Sequence, residues 1–166
     1  MGRDKARLPF RGGLLVSAVA RAVSFAAGSV TLVGHPELPA IPDRYPGGGP
    51  LGGILTALYH TSADWNLIVA CDMPEVSPVF LGELLARAMR SQPGVLLPYG
   101  PDGLPQPLCA VYHRQTRALL DEQFGRGVRR VTEALAGLEV VRFSVAELTP
   151  FQNVNTPRDW DAYAAK

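Results

Sequence analysis

Apolar and small residues recur at helical spacing from Leu14 to about Ala27, broken only by Arg21, and Gly28 stands where a left-handed cap would end the helix. Residues 29–34, SVTLVG, form a short apolar run that reads as a buried strand. Residues 35–50, HPELPAIPDRYPGGGP, carry so many prolines and glycines that a long loop is expected, and such loops are functional or lack fixed structure. Helical spacing resumes in LGGILTALYHT, and WNLIVACD (65–72) is a second apolar strand halted by Pro74. Ser77 and Pro78 suit an N-cap and first helical position ahead of the amphipathic VFLGELLARAMRS. GVLLPYG and PLCAVYHR are two further strands, and the Asp-Gly turn signal in PDGLPQ between them predicts a hairpin-like excursion. Helices at 115–124 and 128–137 lead to the strand EVVRFSV. A last helix follows in TPRDWDAYAAK, capped by Thr156 with Pro157 behind it.

Strand and helix thus alternate over most of the chain, and no repeat, linker or low-complexity tract divides it. The expectation is one domain over residues 1–166, a three-layer α/β fold with a mostly parallel sheet. Sheets of that kind bind ligands beyond the carboxyl ends of their strands. The segments to inspect are therefore 34–53, 72–74 and 153–155.

Composition narrows the function by exclusion. The 166 residues are 47% hydrophobic and 19% charged, enough for a real core. Sixteen Lys and Arg against 15 Asp and Glu leave a net charge of +1, so nothing electrostatic points to nucleic acid or a membrane surface. No apolar run reaches the roughly 18 residues of a membrane span. Cys71 and Cys109 sit singly in apolar strand-like runs, where each reads as a small buried side chain in a reducing cytoplasm. His35, His60 and His113 form no metal-ligand pair, and neither a GxSxG elbow nor a GxxxxGK[ST] loop occurs.

What remains is a small set of polar positions. Asp72 ends an apolar strand, where an unpaired carboxylate would cost several kcal/mol if buried. It either holds a Mg²⁺ ion together with substrate phosphates or caps the turn before Pro74. Gly47, Gly49 and Gly52 match the dinucleotide fingerprint by letter, but a proline-rich loop precedes them where that motif needs a strand. Their alternative use is backbone that can approach a ligand closely. Asp43 at the head of this loop either orients a nucleotide or solvates the loop. Arg3, Lys5 and Arg7 are a solvated basic terminus, or part of a phosphate site if a glycine-rich turn precedes Lys5.

Four segments in order and spacing, MGRDKARLPFRG, PDRYPGGGPLGGILTAL, LIVACDMP and FQNVNTPRDW, resemble the molybdenum cofactor guanylyltransferase (MobA) family over nearly the whole chain. The resemblance implies a doubly wound, Rossmann-like nucleotidyltransferase. Its reaction joins the GMP part of GTP to the phosphate of molybdenum-bearing molybdopterin and releases pyrophosphate with Mg²⁺. It implies that Lys5 binds the GTP phosphates, that Asp43 contacts the nucleotide, and that Asp72 binds both nucleotide and Mg²⁺. Gly49 and Gly52 would lie beside the nucleotide, and Asn153 and Asn155 would line the pterin side. Other cofactor-biosynthesis proteins and acceptor molybdoenzymes are the implied partners. Two departures stand out: the family's leading strand and LAGGxSxR turn are not seen before Met1, and a family asparagine is replaced near Gly34. MGRDK then reads as the second half of a phosphate loop, from a late start codon or a shortened form. A missing first strand would leave its neighbours in the sheet with unpaired backbone groups. A CTP-using cytidylyltransferase, a non-catalytic nucleotide-binding module and, more distantly, a dinucleotide-dependent oxidoreductase are the alternatives.

Overall fold

Arg11 and Gly12 both adopt positive φ, 45° and 77°, the requirement of a primed two-residue turn. They join β1 (Pro9–Phe10) to β2 (Gly13–Leu14) in the computed structural model, which describes residues 5–35, 38–147 and 149–151. The sequence pattern gives no hint of this hairpin beyond RGG. It leads into α1 (Leu15–Ala27), whose end is closed by Gly28 at φ 78°, as its spacing predicts. Next come α2 (Gly49–His60) and β3 (Trp65–Val69). In α3 (Pro78–Ser91) the Ser77 side chain accepts the Phe80 N–H at 3.1 Å, the predicted cap. Then follow β4 (Val95–Tyr99), β5 (Cys109–His113), α4 (Arg117–Gly125), α5 (Val131–Ala134) and β6 (Val140–Ser144).

Alternation along the strands divides the core into two layers about the sheet. Leu96, Cys109 and Val111 face α1 and α3. Val95, Leu97, Ala110 and Tyr112 face α2, α4 and α5. This is the expected three-layer α/β arrangement.

The sheet order is β3-β5-β4-β6. β3, β4 and β6 run one way and β5 runs against them, so only the β4–β6 pairing is parallel. The cause is the predicted excursion. Gly103 takes φ 74°, its N–H donates to the Gly100 carbonyl, and Asp102 Oδ1 accepts the Leu104 N–H, turning the chain back. Pro98 is tolerated inside β4 because its carbonyl side faces Gln106, beyond Leu96, where the β5 ladder has already ended.

Residues 29–34 are a correction. They form no strand of the sheet; Val33 makes a single parallel bridge to Ile41. Gly34 donates to the Ile41 carbonyl and Ile41 to that of Leu32, both at 2.9 Å, so this backbone finds partners in its own following loop. Among the described residues no strand pairs with the outer edge of β3. Its five residues are all only partly buried, and a cavity of about 570 Å³ lies along them. The predicted C-terminal helix falls outside the described residues. No described helix is long and apolar enough to cross a membrane.

Candidate functional site

The cavity gathers segments far apart in sequence. Val30 and Leu32 line one wall and Leu67 and Val69 of β3 the other, while Val16, Val19 and Val23 of α1 close the side. Its polar rim carries His35 and Asp72. From α2 it receives Pro50, Gly53, Ala57 and His60, positions at helical spacing on one face. Ala6 also lines it, next to Lys5 at the start of a single 3-10 turn, Lys5–Arg7.

Asp72 is half-buried in the turn out of β3, ahead of buried Met73 and Pro74. The chain leaves the strand at Val69, earlier than the apolar run suggests, and Cys71 is consequently exposed, not buried as expected. Cys109 is the buried small side chain the sequence predicts; burial pushes its thiol up to about 12. Among the described residues no group of three His, Cys, Asp or Glu could hold a metal. A single carboxylate ligand suits Mg²⁺, which takes most of its ligands from water and phosphate oxygens, and does not suit a cage built by the protein alone.

The glycine loop is built differently from the fingerprint it matches by letter. Asp43 Oδ1 accepts the Tyr45 N–H at 2.9 Å and the Thr56 hydroxyl at 2.9 Å, and Arg44 N–H donates to Thr56 Oγ1 at 3.0 Å. Asp43 therefore ties the loop to the middle of α2, and it does not line the cavity. Gly48 N–H donates to the Tyr45 carbonyl at 2.8 Å, closing a turn directly before α2. Gly49, at φ 66°, opens the helix, and no side chain caps it. A Cβ on Gly52 would stand 3.1 Å from Tyr45 Cβ, so Gly52 faces Tyr45 while Gly53, one residue on, faces the cavity.

Beneath this turn lies a cluster the sequence does not announce. Tyr45 and Tyr59 each donate a hydroxyl hydrogen bond of 2.6 Å to the Asp121 carboxylate on α4. The Tyr45 ring packs on Phe124 with centroids 4.8 Å apart, and Arg44 and Arg117 stand over the Tyr59 ring at 4.4 and 4.6 Å. Both tyrosine bonds hold the Asp121 carboxyl below the usual carboxylate range. Burial and the bond to Asp121 push the Tyr45 phenol up to about 12. Tyr45 and Asp121 are 76 positions apart, and no local motif links them.

The structure thus brings Asp72, the neighbour of Lys5 and the cavity face of α2 to one cavity. The Lys5 side chain, Asn153 and Asn155 fall outside what is described. Two proteins named "Probable molybdenum cofactor guanylyltransferase" are similar to the chain. The one from Methanothermobacter thermautotrophicus is 36% identical over 70% of this chain and 62% of its own length. The one from Opitutus terrae is 32% identical over 97% of this chain and 87% of its own. Among solved structures, the molybdopterin-guanine dinucleotide biosynthesis protein A of Archaeoglobus fulgidus superposes with a TM-score of 0.79 at 27% identity, covering 97% of this chain and 89% of that one. The family pattern of the MobA-like NTP transferase domain matches residues 1–140, and with the three-layer fold and its cavity this places the chain in the MobA-like family of nucleotidyltransferases.

Proposed function

We propose that the chain transfers GMP from GTP to the terminal phosphate of molybdenum-bearing molybdopterin, forming the guanine dinucleotide cofactor and pyrophosphate. One observation carries this reading: a single cavity is touched by the segment after Lys5, by the first turns of α2 and by Asp72. The names of the similar proteins support GTP as the nucleotide and the pterin as acceptor.

A phosphate oxygen of the acceptor attacks the α-phosphorus of GTP in line; that P–O bond forms as the bond to the β-phosphate breaks. Little proton chemistry falls to side chains, so the chain acts by placement and charge compensation. Asp72 would hold the Mg²⁺ ion, which when bound neutralises charge on the phosphate oxygens. The Lys5 ammonium offsets charge on the departing pyrophosphate. The uncapped first turn of α2, beside the cavity at Pro50, offers backbone N–H donors to the anionic ligand. Asp43 shapes the loop over the nucleotide, Gly49 and Gly52 keep that loop close to it, and Asn153 and Asn155 meet the pterin.

The test is pyrophosphate release with molybdenum-bearing molybdopterin and either GTP or CTP. Turnover with GTP at least about tenfold above CTP is expected, and the reverse preference would replace the guanylyl reading with a cytidylyl one. Asp72→Ala should lower the GTP rate by about 100-fold or more with an unchanged melting temperature. Near wild-type turnover in that variant would remove Asp72 from the site.

A further inference from the structure

Resting on the nucleotide reading of the cavity, we propose that Asp121 is a positioning residue: acting through Tyr45, it fixes the Tyr45–Gly48 turn and so sets the first turn of α2 against the nucleotide. Asp121 lies on α4 and does not line the cavity. It reaches the loop through one hydroxyl, that of Tyr45, at 2.6 Å. Tyr45 is the hub of the turn. Its N–H is held by Asp43, its carbonyl accepts the Gly48 N–H, and its Cβ rests against Gly52. A Cβ on Gly48 would lie 2.8 Å from both the Tyr45 carbonyl oxygen and Phe124 Cζ, so the turn is packed directly on this residue and on α4. The loop backbone is otherwise rich in glycine, with Gly47 and Gly49 at φ 77° and 66°. Such a segment loses much conformational entropy on ordering and needs an external strut. A bond from a phenol to a carboxylate is among the stronger kinds, which suits that task.

Tyr59 provides the internal control. It donates an equally short bond to the other oxygen of Asp121, yet it sits near the far end of α2 and meets the loop only through its ring, 6.5 Å from that of Tyr45 and under Arg44, which Tyr59→Phe keeps. If Asp121 works through Tyr45, removing the Tyr45 hydroxyl must reproduce the loss of Asp121, while removing the Tyr59 hydroxyl must not.

The experiment compares Asp121→Ala, Tyr45→Phe, Tyr59→Phe and the Asp121→Ala/Tyr45→Phe double variant in the full chain. Two readouts are taken: native hydrogen exchange of the Tyr45 and Gly48 amides, and the kinetic constants for GTP. Asp121→Ala and Tyr45→Phe should each speed exchange of those amides about tenfold and raise KM for GTP about tenfold, with kcat within about twofold. The double variant should add nothing to Asp121→Ala, and Tyr59→Phe should stay within about twofold of wild type in both readouts. Equal loosening by Tyr59→Phe, additive effects in the double variant, or an unmoved KM in a loosened loop would each overturn the proposal. Absence of GTP turnover in the wild type, with loosening still specific to Tyr45, would instead refute the nucleotide reading and leave the strut in place.

Discussion

At the residue scale, the two cysteines show how one residue at a strand end changes an environment. Both lie in apolar runs, and the pattern alone makes them alike. The run WNLIVACD reads as strand to its end, yet pairing of β3 with β5 stops at Val69↔Cys109, after which only the Ala70 N–H reaches the Leu108 carbonyl. Cys71 therefore stands in an exposed turn, while Cys109 is sealed in the core. A thiol reagent of the dithionitrobenzoate type should modify one thiol per native chain, Cys71, and the second only after unfolding. Rapid modification of both thiols in the native protein would contradict the burial of Cys109. Asp72 is legible in the sequence for a different reason: a carboxylate at the end of an apolar run needs an explanation wherever the strand stops. Asp121 is not legible, since its partners Tyr45 and Tyr59 belong to distant elements and its spacing resembles any solvated helix face.

At the element scale, the hydrophobic pattern predicts α2 but not its first residues. The helix starts at Gly49, ahead of the predicted leucine, because Pro50 fits a first turn and Gly52 packs on Tyr45. Neighbouring glycines then differ in purpose. Gly48 has ordinary right-handed backbone angles, so a methyl group there is opposed only by the Tyr45 carbonyl and Phe124 at 2.8 Å. A methyl group on Gly53 would meet nothing within 4 Å. Gly48→Ala should cost about 1–3 kcal/mol, while Gly53→Ala should gain about 0.5–1 kcal/mol from helix propensity. Urea denaturation of the two variants checks the opposite signs, and a shared sign would refute the packing of the turn on α4. The 29–34 segment departs from its expected strand because a short apolar run does not specify pairing. Here only residues 32 and 33 are even half-buried, beside the cavity, the rest of the segment is exposed, and its hydrogen bonds go to the loop at Ile41.

At the scale of the whole molecule, the layering of helices about the sheet is plain from alternating patterns, whereas strand order is not, since periodicity carries no information on neighbours. The open edge of β3 has a measurable signature. Successive amides of a strand point to opposite edges, so residues Trp65–Val69 should alternate in hydrogen exchange, with every second amide protected by β5 and the others exchanging at least about tenfold faster. Uniform protection along β3 would mean that its outer edge is covered.

The place of β5 has a consequence for biosynthesis. Among the described strands β3 has only β5 as partner, and β4 has β5 and β6, so no two strands of this sheet can pair until residues 109–113 have left the ribosome. The earlier hundred-odd residues must wait as helices leaning on one another, chiefly α1 on α3, with apolar strands uncovered. Formation of the sheet thus waits on the late arrival of a single antiparallel strand.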